Sequence, residues 1–80
     1  MSILKQVQDR VTKLNLSNSK VQELNLGGIH IKDFAPDVKN YLEKFQNLQY
    51  LYLNGCKLTS LANIPIIPNL IRLELENNEL

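Results

Sequence analysis

Residues 48–61 read LQYLYLNGCKLTSL, with leucines at 48, 51, 53, 58 and 61. Steps of three, two, five and three do not fit an amphipathic helix, which needs apolar partners at three- and four-residue steps throughout. They do not fit a strand of strict alternation either. The first half, Leu48-Gln-Tyr-Leu51-Tyr-Leu53, suits a short strand. Asn54-Gly55 then interrupts the run, and the leucines resume behind it. Whether this spacing occurs once or recurs decides the fold.

It recurs. Val21-Gln-Glu-Leu24-Asn-Leu26 and Leu70-Ile-Arg-Leu73-Glu-Leu75 have the same frame. Ile29 and Ile31, Cys56 and Leu58, and Asn78 and Leu80 fall at matching offsets behind the three runs. The step is 27 residues from Leu24 to Leu51 and 22 from Leu51 to Leu73. This is the leucine-rich repeat pattern, whose period is about 20–29 residues. The expected fold is α/β: a short right-handed leucine-rich repeat solenoid with an N-terminal capping helix and a parallel three-stranded concave sheet. One domain is expected over 1–80, with a cap helix at 1–16 and repeats at about 21–47, 48–69 and 70–80, the last incomplete.

Ile3, Leu4, Val7, Val11 and Leu14 recur at helical steps from Ser2 to Asn15, and Ser2 is a suitable N-cap. A helix there would cover the open end of the first coil, as a solenoid requires. Ser17-Asn-Ser-Lys20 is turn-prone. Pro36 can open a second helix running to about Phe45 or Gln46, on the spacing of Val38, Tyr41, Leu42 and Phe45. Pro65 and Pro68 restrict the backbone after Leu61, so a turn or short 3₁₀ segment is expected at about 60–63. Leu51 and Leu53 should point inward, with Leu58 and Leu61 filling the far half of the same coil. Cys56 and Asn78 should fill turns from inside, a position that Ile29 holds in the first coil.

Between the leucines each strand shows residues to the concave side, and neighbouring strands lie about 4.8 Å apart, so equivalent positions stack. The columns are Glu23, Tyr50, Arg72; then Asn25, Tyr52, Glu74; then Gly27, Asn54, Glu76. Tyrosine and arginine are enriched at binding hot spots. The candidate partner-binding residues are therefore Glu23, Asn25, Tyr50, Tyr52, Asn54, Arg72, Glu74 and Glu76.

Other chemistries find no foothold. A formal net charge of +1 provides no electrostatic driver for nucleic acid, so direct nucleic-acid binding is not expected. No apolar run approaches the about 20 residues of a membrane span, and Lys5, Gln6, Gln8, Asp9 and Arg10 break any signal-peptide pattern. A single cysteine excludes an internal disulfide. His30 is the only histidine, and Gly27-Gly28 lacks the glycine and lysine of a phosphate loop. No enzyme activity, cofactor or metal is expected, and a nuclear or cytoplasmic binding protein is the default.

The stretch Leu58-Thr-Ser-Leu-Ala-Asn-Ile-Pro65, with Asn69-Leu-Ile-Arg-Leu-Glu-Leu-Glu-Asn-Asn78, resembles the acidic leucine-rich nuclear phosphoprotein 32 family. The N-terminal helix, the polar turn and Val21-Gln-Glu-Leu24 look like that family's opening. The resemblance implies a nuclear or nucleocytoplasmic protein whose partner is a histone or a phosphatase. Members carry more repeats and a long acidic tail, which these residues do not contain, so tail-dependent histone binding is not carried over. Glu23-Leu-Asn-Leu-Gly-Gly-Ile-His-Ile31 is similar to the leucine-rich A-prime proteins of the U2 small nuclear ribonucleoprotein. That alternative implies a structural component of an RNA–protein assembly.

The last strand, Leu73 to Leu75, has no polar cap after it. Such an edge invites pairing with another chain, and a homodimer through the uncapped C-terminal end is expected. Glu74, Glu76 and Glu79 would oppose it by like-charge repulsion.

Overall fold

A computed structural model describes residues 2–80; Met1, the expected start of the cap helix, lies outside the described residues. The elements are α1 (Ile3–Thr12), a 3₁₀ turn (Asn18–Lys20), β1 (Glu23–Asn25), α2 (Pro36–Leu42), β2 (Tyr50–Tyr52) and β3 (Arg72–Glu74). The fold is α/β, with one open parallel sheet in the order β1-β2-β3.

Local chemistry sets the helix ends. Ser2 Oγ accepts the Lys5 N–H at 3.0 Å and caps α1. The helix stops before Asn15, whose φ of 55° is left-handed. Pro36 occupies the first turn of α2, where its missing N–H costs nothing. The Asp37 carboxylate accepts the Val38 N–H at 2.8 Å in the same turn. α2 ends at Leu42, shorter than expected, but Phe45 is still fully buried by the turn after it.

The three strands pair in one register. Glu23 lies beside Tyr50 and Tyr50 beside Arg72; Leu24, Leu51 and Leu73 are aligned, as are Asn25, Tyr52 and Glu74. The offsets are those of the leucine spacing. Hydrogen bonds extend the ladder past the short strands, from Leu26 N–H to Tyr52 O, Gly28 N–H to Asn54 O, Leu53 N–H to Glu74 O and Gly55 N–H to Glu76 O. Each strand then leaves the sheet through a left-handed residue at the matching offset: Gly28 (φ 83°), Gly55 (φ 67°) and Asn77 (φ 58°). Glycine adopts this conformation without strain and asparagine tolerates it better than most residues.

The core lies between the sheet and the two helices. Val7 and Val11 of α1 pack against it from one end. Leu24, Leu26, Leu51 and Leu53 form its middle, with Val38, Leu42 and Phe45 behind them. Leu70, Leu73 and Leu75 are only partly buried. Two expected core residues are outside it. Leu14 is exposed because α1 has already ended. Leu61 is 40 % exposed. The chain turns at Ala62-Asn63, with Asn63 left-handed at φ 61°, and Pro65 and Ile67 are the residues turned inward after it. Residues 60–63 are thus a turn, and the 3₁₀ segment lies instead at Asn18–Lys20.

Candidate binding face

Alternation along each strand turns Leu24, Leu51 and Leu73 toward the core and sends the flanking residues to the opposite face. The sheet therefore places Glu23, Tyr50 and Arg72 in one row and Asn25, Tyr52 and Glu74 in the next. Glu23, Asn25, Arg72 and Glu76 are exposed, while Tyr50, Tyr52, Asn54 and Glu74 are half-buried. All eight predicted residues lie on this face or at its turn edge.

They are not equally available. Arg72 Nε donates to Glu74 Oε2 at 2.9 Å, and Asn54 Nδ2 donates to Glu74 Oε1 at 2.9 Å. The Glu76 N–H donates to Asn54 Oδ1 at 2.8 Å, so Asn54 ties the turn after β2 to the strand beside it. Asn25 Oδ1 accepts the Gly27 N–H at 2.8 Å. A Cβ on Gly27 would stand 3.0 Å from that oxygen and 3.1 Å from Asn54 O, so the close turn needs glycine there. Asn25, Asn54 and Glu74 thus hold the face together. Among the described residues, the side chains of Glu23, Tyr50, Tyr52 and Glu76 make no hydrogen bond or ion pair. Partial desolvation raises the Tyr52 phenol above its ordinary range, and the Glu23 and Glu74 carboxylates push it the same way. The tyrosine hydroxyl is therefore a neutral donor and acceptor throughout the physiological range.

Behind this face a polar ladder braces the turns. Cys56 is fully buried and its Sγ lies 3.2 Å from Leu26 O. Burial pushes its thiol pKa up, so the thiolate that would react is disfavoured. Asn78 Oδ1 accepts the N–H groups of Cys56 and Leu58, both at 3.0 Å. Asn78 Nδ2 donates to Leu53 O and Leu75 O, both at 2.9 Å. The turn-filling roles expected of Cys56 and Asn78 are the ones they occupy.

One feature is not visible in the leucine spacing. Arg10, on α1, donates from Nη1 to Asn25 O and from Nη2 to Gly27 O, each at 3.0 Å. Both carbonyls point away from β2, so the guanidinium satisfies the outer edge of β1. Nothing in the helical periodicity separates Arg10 from the other polar residues of α1. The signal that could have found it is positional: a fork-shaped donor in the last turn of a helix laid along a sheet edge.

An open groove of about 520 Å³ runs between the end of α2 and the segment before β3, lined by Lys39, Glu43, Gln46, Ile66, Pro68 and Asn69. Glu43 Oε2 accepts from Lys39 Nζ and from the Ile66 N–H, both at 2.7 Å. These two bonds hold its carboxyl below the usual glutamate range. Within the groove the Glu43 carboxylate is thus already engaged by Lys39 and by the backbone. His30 is exposed on the turn after β1. Among the described residues, no three His, Cys, Asp or Glu side chains are grouped to hold a metal ion. No helix among them is long and apolar enough to cross a membrane.

No protein-family model matches the chain, and no solved structure matches it. Among curated proteins, a histone of Tetrahymena thermophila, the Y variant of the H2-A type, is 31% identical over 80 residues, an alignment that covers 98% of this chain and 21% of the relative. The chain thus spans about a fifth of that relative's length.

Proposed function

We propose that this chain is a protein-binding module of the leucine-rich repeat class, a short solenoid that recognises its partner on the concave face of the sheet. The observation that carries this reading is the alignment of Tyr50 and Tyr52 with Glu23, Arg72 and Glu74 on one open surface. Two half-buried aromatic rings beside charged side chains are what a binding hot spot uses. The solenoid class is supported by the common register of Leu24, Leu51 and Leu73, the left-handed residues at Gly28, Gly55 and Asn77, and the Cys56–Asn78 ladder. The module binds rather than catalyses, and acts in the nucleus or the cytoplasm.

By its resemblance to the nuclear phosphoprotein 32 family, the partner class is a histone or a phosphatase, and the role chromatin or phosphatase regulation. The similarity to a protein named as a histone favours the chromatin setting. Purified core histones and a phosphatase catalytic subunit are the probes to titrate against the 80-residue chain. Tyr52→Ala should weaken binding at least tenfold while costing about 1 kcal/mol or less of stability, since Tyr52 is outside the core. If Tyr52→Ala unfolds the chain, or binding survives it, the concave face is not the site. Tight RNA binding with no protein binding would replace this reading by that of an RNA–protein assembly component.

A further inference from the structure

Tyr50 and Tyr52 lie on β2, the central strand, with a neighbouring strand on each side. Both are half-buried on the open face of the sheet. Glu23 stands beside Tyr50 on one flank and Arg72 on the other, while Tyr52 lies between Asn25 and Glu74. The charges of this face are unequally spent. Arg72 Nε and Glu74 Oε2 pair at 2.9 Å, and Asn54 takes the second oxygen of Glu74. Glu23 is exposed, and its carboxylate makes no hydrogen bond or ion pair among the described residues. The same holds for Glu76 at the turn edge. Three carboxylates against one guanidinium leave the face two negative charges, in a chain whose formal net charge is +1. The sign is felt at the rings. Beyond partial desolvation, Glu23 and Glu74 each raise the Tyr52 phenol more strongly than Arg72 lowers it.

We propose that the concave face receives a cationic side chain of a protein partner, arginine before lysine, laid against Tyr50 and Tyr52 with Glu23 as its counter-ion. The proposal rests on reading this face as the binding surface, and it names what the surface takes. Charge complementarity selects the occupant. A cation within about 6 Å of a tyrosine ring is attracted to the electron-rich face of that ring. Neighbouring strands are about 4.8 Å apart, so a cation over Tyr50 is also within reach of the carboxylate beside it. The hydrogen bond it donates to Glu23 is charge-assisted. Tyr50 and Tyr52 are two residues apart on one strand, with Cα atoms about 6.5–7 Å apart. The stem of a long basic side chain spans that distance, covering one ring while its charged end meets the other. A guanidinium stacks flat on a tyrosine and still donates in its own plane, which an ammonium cannot do. The opposite class is disfavoured. A phosphate or carboxylate would find the one guanidinium already paired and two uncommitted carboxylates in its path. An apolar partner would bury Glu23 with nothing to neutralise it.

NMR titration of the isotope-labelled 80-residue chain with hexa-arginine tests it, with hexalysine and hexaglutamate alongside. Hexa-arginine should shift the resonances of Glu23, Tyr50 and Tyr52 saturably, hexalysine should bind more weakly, and hexaglutamate should leave them in place. Glu23→Gln keeps the shape and removes the charge, and should weaken hexa-arginine binding about three- to fivefold. Tyr52→Leu removes the ring and should weaken it about two- to fivefold. Tyr52→Phe keeps the ring and should bind as the unaltered chain does. Asp9→Asn, on α1, should change nothing. Circular dichroism of each variant separates loss of binding from loss of fold. Shifts centred on Asp33, Asp37 or Glu79 overturn the proposal, as does binding indifferent to Glu23→Gln or binding of hexaglutamate to the face. Equal affinity for hexa-arginine and hexalysine overturns the stacked guanidinium. The failure of this inference is separable from that of the reading beneath it. If hexa-arginine leaves the face untouched while histones or the phosphatase subunit still bind and are lost with Tyr52→Ala, the cationic anchor falls and the concave surface stands. If Tyr52→Ala is without effect as well, both fall.

Discussion

The two edges of the sheet are built from the same leucine frame and end differently. Along β1, α1 lies over the edge, Arg10 takes the outward carbonyls of Asn25 and Gly27, and Leu24 is 2 % exposed. Along β3, Leu73 in the matching position is only partly buried, and Ile66 and Ile71 are 73 % and 69 % exposed nearby. The difference shows that the leucine pattern specifies which way a side chain points, not how deeply it is buried. Depth comes from the layer on the far side of the strand. A leucine counted as core from its spacing contributes its full burial only where a second layer covers it.

The largest effect should separate equivalent leucines. Leu24→Ala should cost about 2–5 kcal/mol, the range for a filled core site. Leu73→Ala should cost distinctly less, because part of its surface is already in water. Urea unfolding of both variants would measure this, and equal costs would erase the contrast between the edges. A smaller effect is expected at Arg10. Arg10→Ala removes two charge-assisted hydrogen bonds from a part-exposed site and should cost about 1–2 kcal/mol. Hydrogen exchange should rise in β1 and α1 and leave β3 unchanged. Loss spread evenly over the sheet would mean that Arg10 is not an edge device.

The smallest effect is a pH dependence of the segment that leads into β3. Glu43 binds Lys39 and the Ile66 N–H, and its folded carboxyl titrates below the ordinary range. A depressed folded pKa contributes stability above the unfolded value and loses it as pH falls through the folded one. Below the ordinary glutamate range the 64–69 segment should therefore loosen before α1 does. Glu43→Gln should remove that pH dependence. Backbone exchange in this segment that is flat through the acid range would show that the tie is incidental.

The sequence carried the architecture well and the edges poorly. Ser2 as a cap, Pro36 as a helix start, the strand register and the roles of Cys56 and Asn78 were all legible, because each comes from local backbone rules or from the spacing itself. Leu61 and Leu14 were misplaced for one reason. In both cases the apolar periodicity runs up to a left-handed asparagine, Asn63 or Asn15, where the chain changes direction. On the candidate face, the columns were legible but the division of labour was not. That Asn54 and Glu74 are engaged, while Tyr50 and Tyr52 make no bond, depends on side-chain geometry across strands that are 22 residues apart in sequence. Arg10 was invisible because it serves a carbonyl 17 residues away that no pattern marks.

Asn54-Gly55 has one more consequence, in the chemistry of ageing. An Asn-Gly pair loses ammonia when the glycine nitrogen attacks the asparagine side chain, because glycine hinders the approach least. Here both reactants are held. The Gly55 N–H donates to Glu76 O at 2.9 Å, and the Asn54 carboxamide is fixed between Glu74 and the Glu76 N–H. All of these restraints come from β3 and the residue pair after it. Deamidation at Asn54 therefore proceeds only when the outer strand lifts, and its rate is a slow chemical record of how often that edge opens. The product places a new carboxylate against Glu74, so each event makes the next opening easier. Peptide mass mapping of aged samples should find Asn54 intact under native conditions and converted quickly after unfolding; equal rates in the two states would show that β3 gives no protection.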